Sequence, residues 1–163
     1  MRYGRVAGVL LVICLSGIVD TVAADSMGHG QSSIQLENAW ARRTPPMAHQ
    51  EQGGHGGSAL NSNNSAVYIT VRNHGSEPDV LLSAATDAAT TIRLDETVEK
   101  DGLMVMQPRP QFDVPAGGSL AMKPGSYHIM LLGLKQALNP GDVVHVTLIF
   151  QKAGEMFVDA PVK

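Results

Sequence analysis

From residue 33 to the C terminus, apolar side chains recur at every second position in short runs broken by turn residues. This two-residue period is the mark of half-buried strands. It predicts strands over 33–42, 65–73, 79–84, 90–97, 103–107, 112–115, 119–122, 127–132, 143–151 and 155–162. The first is anchored by Ile34, Leu36 and Trp40. In the second, Val67, Ile69 and Val71 alternate with Tyr68, Thr70 and Arg72. In the fourth, Ile92 and Leu94 oppose Arg93 and Asp95. Val144, Val146, Leu148 and Phe150 share one face of the 143–151 run, which leaves His145 on the exposed side. Turn chemistry separates the runs: Thr44-Pro45-Pro46, Asn73-His74-Gly75-Ser76, Asp101-Gly102, Ala116-Gly117-Gly118, Lys123-Pro124-Gly125-Ser126 and Asn139-Pro140-Gly141-Asp142. Asp101-Gly102 reads as the turn of a hairpin. His74 lies in a turn and is given a structural or solvated role. Short strands at this spacing, with no helix of several turns, predict an all-β fold. The expected form is an antiparallel β-sandwich or barrel of Greek-key type.

Two stretches break the pattern. Residues 25–33 are polar and contain Met27 and His29, and they read as a flexible N-terminal arm. Residues 47–64 hold too little apolar content to fold alone. They form a Gly-rich loop of a length uncommon inside a compact domain, and they carry Met47, His49 and His55. A tract of this kind is either a metal contact or a solvated linker.

Composition supports the β reading. Of 163 residues, 17 are Gly and 9 are Pro, which favours turns over long helices, and the length suits one domain with a proper core. The N terminus is set apart from the fold. Arg2 and Arg5 precede an uncharged apolar run over 6–19, and Thr21-Val22-Ala23-Ala24 offers a small-residue cleavage site. This is the layout of a secretory signal peptide spanning 1–24. The apolar run is short for a membrane span. Ile13, before Cys14, is not the small residue that a lipid-attachment cysteine requires. Cleavage after Ala24 removes Cys14, the single cysteine, so the mature chain has neither a disulfide nor a blue-copper thiolate. It also removes Arg2, Arg5 and Asp20, taking 12 basic and 15 acidic residues to 10 and 14, a formal charge of −4. That balance gives no reason to expect a nucleic-acid or anionic-membrane partner.

The candidate chemistry lies between Met104 and Met130. His128 and Met130 are two apart on an expected strand and leave the same face, while Tyr127, Ile129 and Leu131 face the core. Met104 and Met106 likewise share one face of their strand. Thioethers select Cu(I), and imidazole suits copper in either oxidation state. No Ser-His-Asp set or phosphate-binding loop can be assembled, and the chain is not expected to be an enzyme.

Ala39-Trp40-Ala41-Arg42, Thr44-Pro45-Pro46, Arg72-Asn73-His74-Gly75, Met104-Val105-Met106, Pro115-Ala116-Gly117-Gly118, Lys123-Pro124-Gly125, Tyr127-His128-Ile129-Met130, Leu132-Gly133-Leu134-Lys135-Gln136 and Pro140-Gly141-Asp142 occur in this order. In them the chain resembles the PCu(A)C-type periplasmic copper chaperones, which are cupredoxin-like β-sandwiches. The resemblance covers nearly all of 34–162 except the 47–64 loop. It implies a Cu(I) site in which Met106, then 21 residues, then His128-Ile129-Met130 match in register. The first His and Met of that motif are missing, because Leu94-Asp95-Glu96-Thr97 stands where the family has Leu-His-Glu-Met. Asp95 is a hard donor, poor for Cu(I) and acceptable for Cu(II).

The expected site is therefore Met106, His128 and Met130, with Asp95, Met104, His49, His55 and Met47 as further candidates. The expected function is a periplasmic copper-binding protein that delivers Cu(I). By resemblance, the recipient is an extracytoplasmic copper site such as the Cu(A) subunit of cytochrome oxidase, or a Sco-like thiol chaperone. The alternatives are sequestration or uptake of Cu(II) through His, Met and Asp ligands, and a metal-free interaction module of the same fold.

Overall fold

The computed structural model describes residues 33–44 and 63–163. The expected signal peptide, all of the expected arm but Ser33, and most of the 47–64 loop, including Met47, His49 and His55, lie outside the described residues. The described residues form ten strands: β1 (Ile34–Ala41), β2 (Asn64–Asn73), β3 (Asp79–Ala85), β4 (Ala89–Lys100), β5 (Leu103–Pro108), β6 (Phe112–Val114), β7 (Ser119–Ala121), β8 (Tyr127–Leu134), β9 (Val143–Phe150) and β10 (Gly154–Pro161). Among the described residues there is no helix. The strands make two antiparallel sheets. One runs β1-β2-β8-β4-β5, with β7 also paired to β2, and the other runs β10-β9-β3-β6. This is the all-β sandwich that the alternation predicts.

The core lies between the sheets. Val67, Ile69 and Val71 of β2, Leu94 of β4, and Ile129 and Leu131 of β8 supply one side. Leu81 of β3, Phe112 and Val114 of β6, and Val144, Val146, Leu148 and Phe150 of β9 supply the other. Burial of these side chains on one face of each strand sets the register, since a one-residue slip would turn every one of them outward. Asp101 and Gly102 both have positive φ, 54° and 76°, and join β4 to β5 through the pair Lys100↔Leu103. That is the backbone a two-residue hairpin turn requires, and Asp-Gly tolerates it. The β5 strand is an edge, and its end is blunted by Pro108.

One element departs from simple alternation. In β1 the register shifts between Glu37 and Trp40, and Asn38 sits at φ 53°. Strict alternation would put Trp40 on the face of Ile34 and Leu36. The bulge inserts an extra residue, so Trp40 instead pairs with Tyr68 on the outer face and Ala41 turns into the core. The ring centroids of Trp40 and Tyr68 are 4.5 Å apart.

The second sheet is held by a buried carboxylate. Asp79 Oδ1 accepts from the backbone N–H groups of Val80 (2.7 Å) and Lys152 (2.9 Å), and Oδ2 accepts from Ala153 (3.0 Å). These bonds tie the start of β3 to the β9–β10 turn. Substitution Asp79→Ala leaves those donors without their acceptor and is expected to cost about 3 kcal/mol. In urea unfolding the midpoint should fall with the slope unchanged; a loss below about 1 kcal/mol would show that water replaces the carboxylate.

Candidate metal site

The alternation of β8 sends Ile129 and Leu131 into the core and His128 and Met130 to the outer face. That face is not solvated. His128 and Met130 are buried there, as are Ala66 and Tyr68 of β2 and Asp95 of β4. Register assembles the neighbourhood: Ala66 and Arg93 flank Met130, Asp95 faces His128, and Thr97 faces Met106 on β5. Met104 lies two residues before Met106, on the same side. Together Arg42, Ala66, Tyr68, Thr97, Met104, Met106, Pro124, Gly125, His128 and Met130 line a cavity of about 180 Å³. That is small for an organic ligand, whose pockets start at about 300 Å³.

The imidazole of His128 decides what the cavity can do. Its Nδ1 lies 3.0 Å from the carbonyl oxygen of Ser126. A carbonyl only accepts, so Nδ1 carries the hydrogen, and in the neutral imidazole Nε2 then presents its lone pair. Nε2 is buried and has no hydrogen-bond partner, the sole such side-chain atom among the described residues. The Ser126 carbonyl is itself held in place. Ser126 N–H bonds Lys123 O at 3.0 Å, with Pro124 and Gly125 at the turn centre and Gly125 at φ 77°. Pro followed by a positive-φ Gly is the sequence of a type II turn. The same carbonyl accepts from Thr97 N–H at 3.1 Å. This carbonyl's role is not visible in the residue pattern; the Lys-Pro-Gly-Ser turn is, and its position two residues before His128 is the one available signal.

The site carries little negative charge. Arg42 lines it together with the Tyr68 phenol. Burial pushes the Tyr68 phenol above its ordinary value, and Arg42 opposes that only in part, so the ring stays neutral. Asp95 was a further candidate ligand, and its carboxylate is bonded by Arg93. Arg93 Nε donates to its Oδ1 at 2.6 Å and Arg93 Nη2 to its Oδ2 at 2.7 Å. Asp95 is fully buried, both oxygens are engaged, and it does not line the cavity. The bidentate bond holds the Arg93 guanidinium above its usual basicity.

The structure therefore brings Met104, Met106, His128 and Met130 together, with Asp95 adjacent but committed elsewhere. Met47, His49 and His55 lie outside the described residues. The other histidines among the described residues are partnered: His74 Nε2 is 2.8 Å from Gln35 Oε1, and His145 Nδ1 is 2.7 Å from Asp159 Oδ1. A larger cavity of about 410 Å³ lies beside His145, but its lining includes no buried unpartnered donor or acceptor.

The sequence model of the family described as putative lipoprotein LpqE-like matches residues 34–162. The chain belongs to the LpqE-like family. It is 32% identical to putative lipoprotein Lxx21020 of Leifsonia xyli over 164 residues, covering all of this chain and 89% of that protein. Among solved structures it is similar to the Cu(I) form of DR1885 from Deinococcus radiodurans, with a TM-score of 0.58 and 28% identity over 86% of this chain and 83% of that one. It is also similar to the apo PCuAC domain of PmoF1, with a TM-score of 0.62 and 21% identity over 81% and 94%. The resemblance to PCu(A)C-type domains drawn from the sequence motifs holds for this LpqE-like chain.

A buried nitrogen without a partner costs about 1–3 kcal/mol. Replacing His128 by Leu removes it at the loss of one hydrogen bond worth about 1 kcal/mol. With a chelator present, His128→Leu should unfold at the same temperature as the parent or slightly higher. A loss of about 3 kcal/mol or more would mark His128 as a structural residue instead.

Proposed function

We propose that this protein binds Cu(I) as cargo outside the cytoplasm and hands it on, without enzymatic activity of its own. The observation that carries this reading is the lone pair of His128 Nε2, buried, oriented from behind and unpartnered in a cavity lined by three methionines. One imidazole with the thioethers of Met104, Met106 and Met130 is a neutral, soft donor set, the kind that selects Cu(I). The Arg42 guanidinium at the cavity adds to the preference, since its repulsion acts on the charge of the ion and is twice as large for a dication. Met104 supplies a thioether on the face from which the motif Met at position 97 is missing. The Cu(I) form of the Deinococcus relative supports the same cargo.

The arrangement favours hand-over by ligand exchange. His128 and Met130 are buried, while Met104 is 59% exposed. An incoming donor reaches Met104 first and the imidazole last, so thioethers at the mouth are replaced one by one. A thiolate binds Cu(I) more strongly than a thioether, which gives transfer its direction. The acceptor we propose is an extracytoplasmic thiolate copper site, either a Cu(A) subunit or a Sco-like chaperone. Periplasmic placement rests on the signal-peptide layout of residues 1–24 and on the family's description as lipoproteins. Sequestration of Cu(II) through Asp95 is disfavoured by the engagement of both its oxygens. His49 and His55 enter this proposal only as supplementary donors.

Titration of residues 25–163 with Cu(I) against a chromophoric chelator should give one ion per chain. His128→Ala and Met106→Ala should each lower affinity by at least tenfold, since even the outer partners of metal ligands are worth about 10–100-fold. The joint variant His49→Ala/His55→Ala should keep most of the affinity. Absence of stoichiometric Cu(I), or its retention in a Met106/His128/Met130 triple-Ala variant, would overturn the reading.

A further inference from the structure

Beside the cavity sits a carboxylate that the proposed chemistry does not use. Asp95 and His128 are opposite each other on β4 and β8, on the same face of the sheet. Directly opposed residues of an antiparallel pair have Cβ atoms about 5 Å apart. Yet Asp95 makes no bond to Nε2, which has no partner at all. Arg93 occupies it instead. Arg93 lies two residues earlier on β4, opposite Met130, and its guanidinium reaches along the strand to grip both oxygens of the carboxylate. Its side chain is 41% exposed, while that of Asp95 is at 0%. An exposed cation thus covers and neutralises a buried anion at the flank of the imidazole.

We infer that Arg93 is a positioning residue that withholds Asp95 from the metal and thereby sets the preference of the site for Cu(I) over Cu(II). The inference rests on the cargo reading above for the identity of the ion, and on the geometry alone for the role of Arg93. The physical reason is the planar fork of arginine. Two parallel N–H···O bonds fix the carboxylate plane as well as its charge, which a single-point cation would not do. Held this way, Asp95 adds no anionic donor, and the ion meets only imidazole and thioethers. Released, the carboxylate is a hard oxygen donor next to an imidazole, a pairing that suits Cu(II). The sequence at this point offers Asp95 where the resemblance calls for a histidine. Arg93 keeps that replacement from changing the class of ion bound.

The test uses the exported protein and three variants: Arg93→Gln, Arg93→Gln/Asp95→Asn, and Asp95→Asn. Cu(II) binding is followed by paramagnetic resonance and Cu(I) by competition with a chelator. Arg93→Gln should gain Cu(II) affinity of about tenfold or more, the scale of outer-partner effects on metal sites. Its spectrum should show a single coordinating imidazole nitrogen. The double variant should fall back to the parental Cu(II) level, although it lacks the ion pair just as fully, so a merely structural role of the pair would not reproduce the pattern. Asp95→Asn alone should leave both affinities unchanged. A folded Arg93→Gln with parental Cu(II) affinity overturns the inference, as does a gain that persists in the double variant. So does a fall in affinity for either ion in Asp95→Asn, which would make Asp95 a ligand already. Should Arg93→Gln fail to fold, Asp95→Asn decides alone by the same criterion. If the parent takes up no Cu(I), the cargo reading fails, while a Cu(II) gain confined to Arg93→Gln still upholds the role of Arg93.

Discussion

The structure turns on the two-residue period of β8, which makes one strand serve two faces at once. Ile129 and Leu131 are buried among the core side chains, and each is worth about 2 kcal/mol in that position. Their burial fixes which way His128 and Met130 point. A slip of one residue would send an imidazole and a thioether into the apolar interior and bring two branched aliphatics to the cavity, so core stability enforces site geometry. The neighbours β2 and β4 pair with β8 on either side, and each brings its own outward residues into line: Ala66 and Tyr68 from one, Arg93, Asp95 and Thr97 from the other.

The cavity is built at a local energetic cost. A buried Nε2 without a partner is unfavourable, and a carboxylate in the same layer would be more so if it stood alone. The two groups could have satisfied one another if His128 were turned or protonated. Instead each is held by something else, His128 by the Ser126 carbonyl and Asp95 by Arg93. A backbone carbonyl and an arginine thus keep apart two groups that register places face to face. This separation is what leaves a free lone pair among uncharged donors.

The mouth of the site lies toward an edge. The β4–β5 hairpin carries exposed Leu103, Met104 and Val105, large apolar side chains of a kind usually buried. A soft-donor site reached from solvent needs thioethers near the surface, and an edge strand with few neighbours can present them. The same exposure would invite strand addition at β5, which Pro108 and the short length of the strand limit.

The residues alone determined the strands, because alternation, turn chemistry and Gly-Pro punctuation are local. All ten expected runs are strands, with ends within a few residues of those expected. They also determined that Met104 shares a face with Met106, and His128 with Met130, since spacing by two does not depend on the fold; that the two pairs meet is decided by the pairing of β5 and β8 with β4. Three further things required the tertiary structure. The bulge at Asn38 moved Trp40 from the core face to the site face, because a single inserted residue reverses parity and no pattern of apolar residues marks it. The unpaired state of Nε2 depends on which carbonyl the other ring nitrogen meets, which is decided by the turn at Lys123–Ser126 packing against β4. The fate of Asp95 was decided by competition between two neighbours, His128 across the sheet and Arg93 along the strand. A sequence lists both contenders, and only the packed geometry shows that the bidentate arginine won.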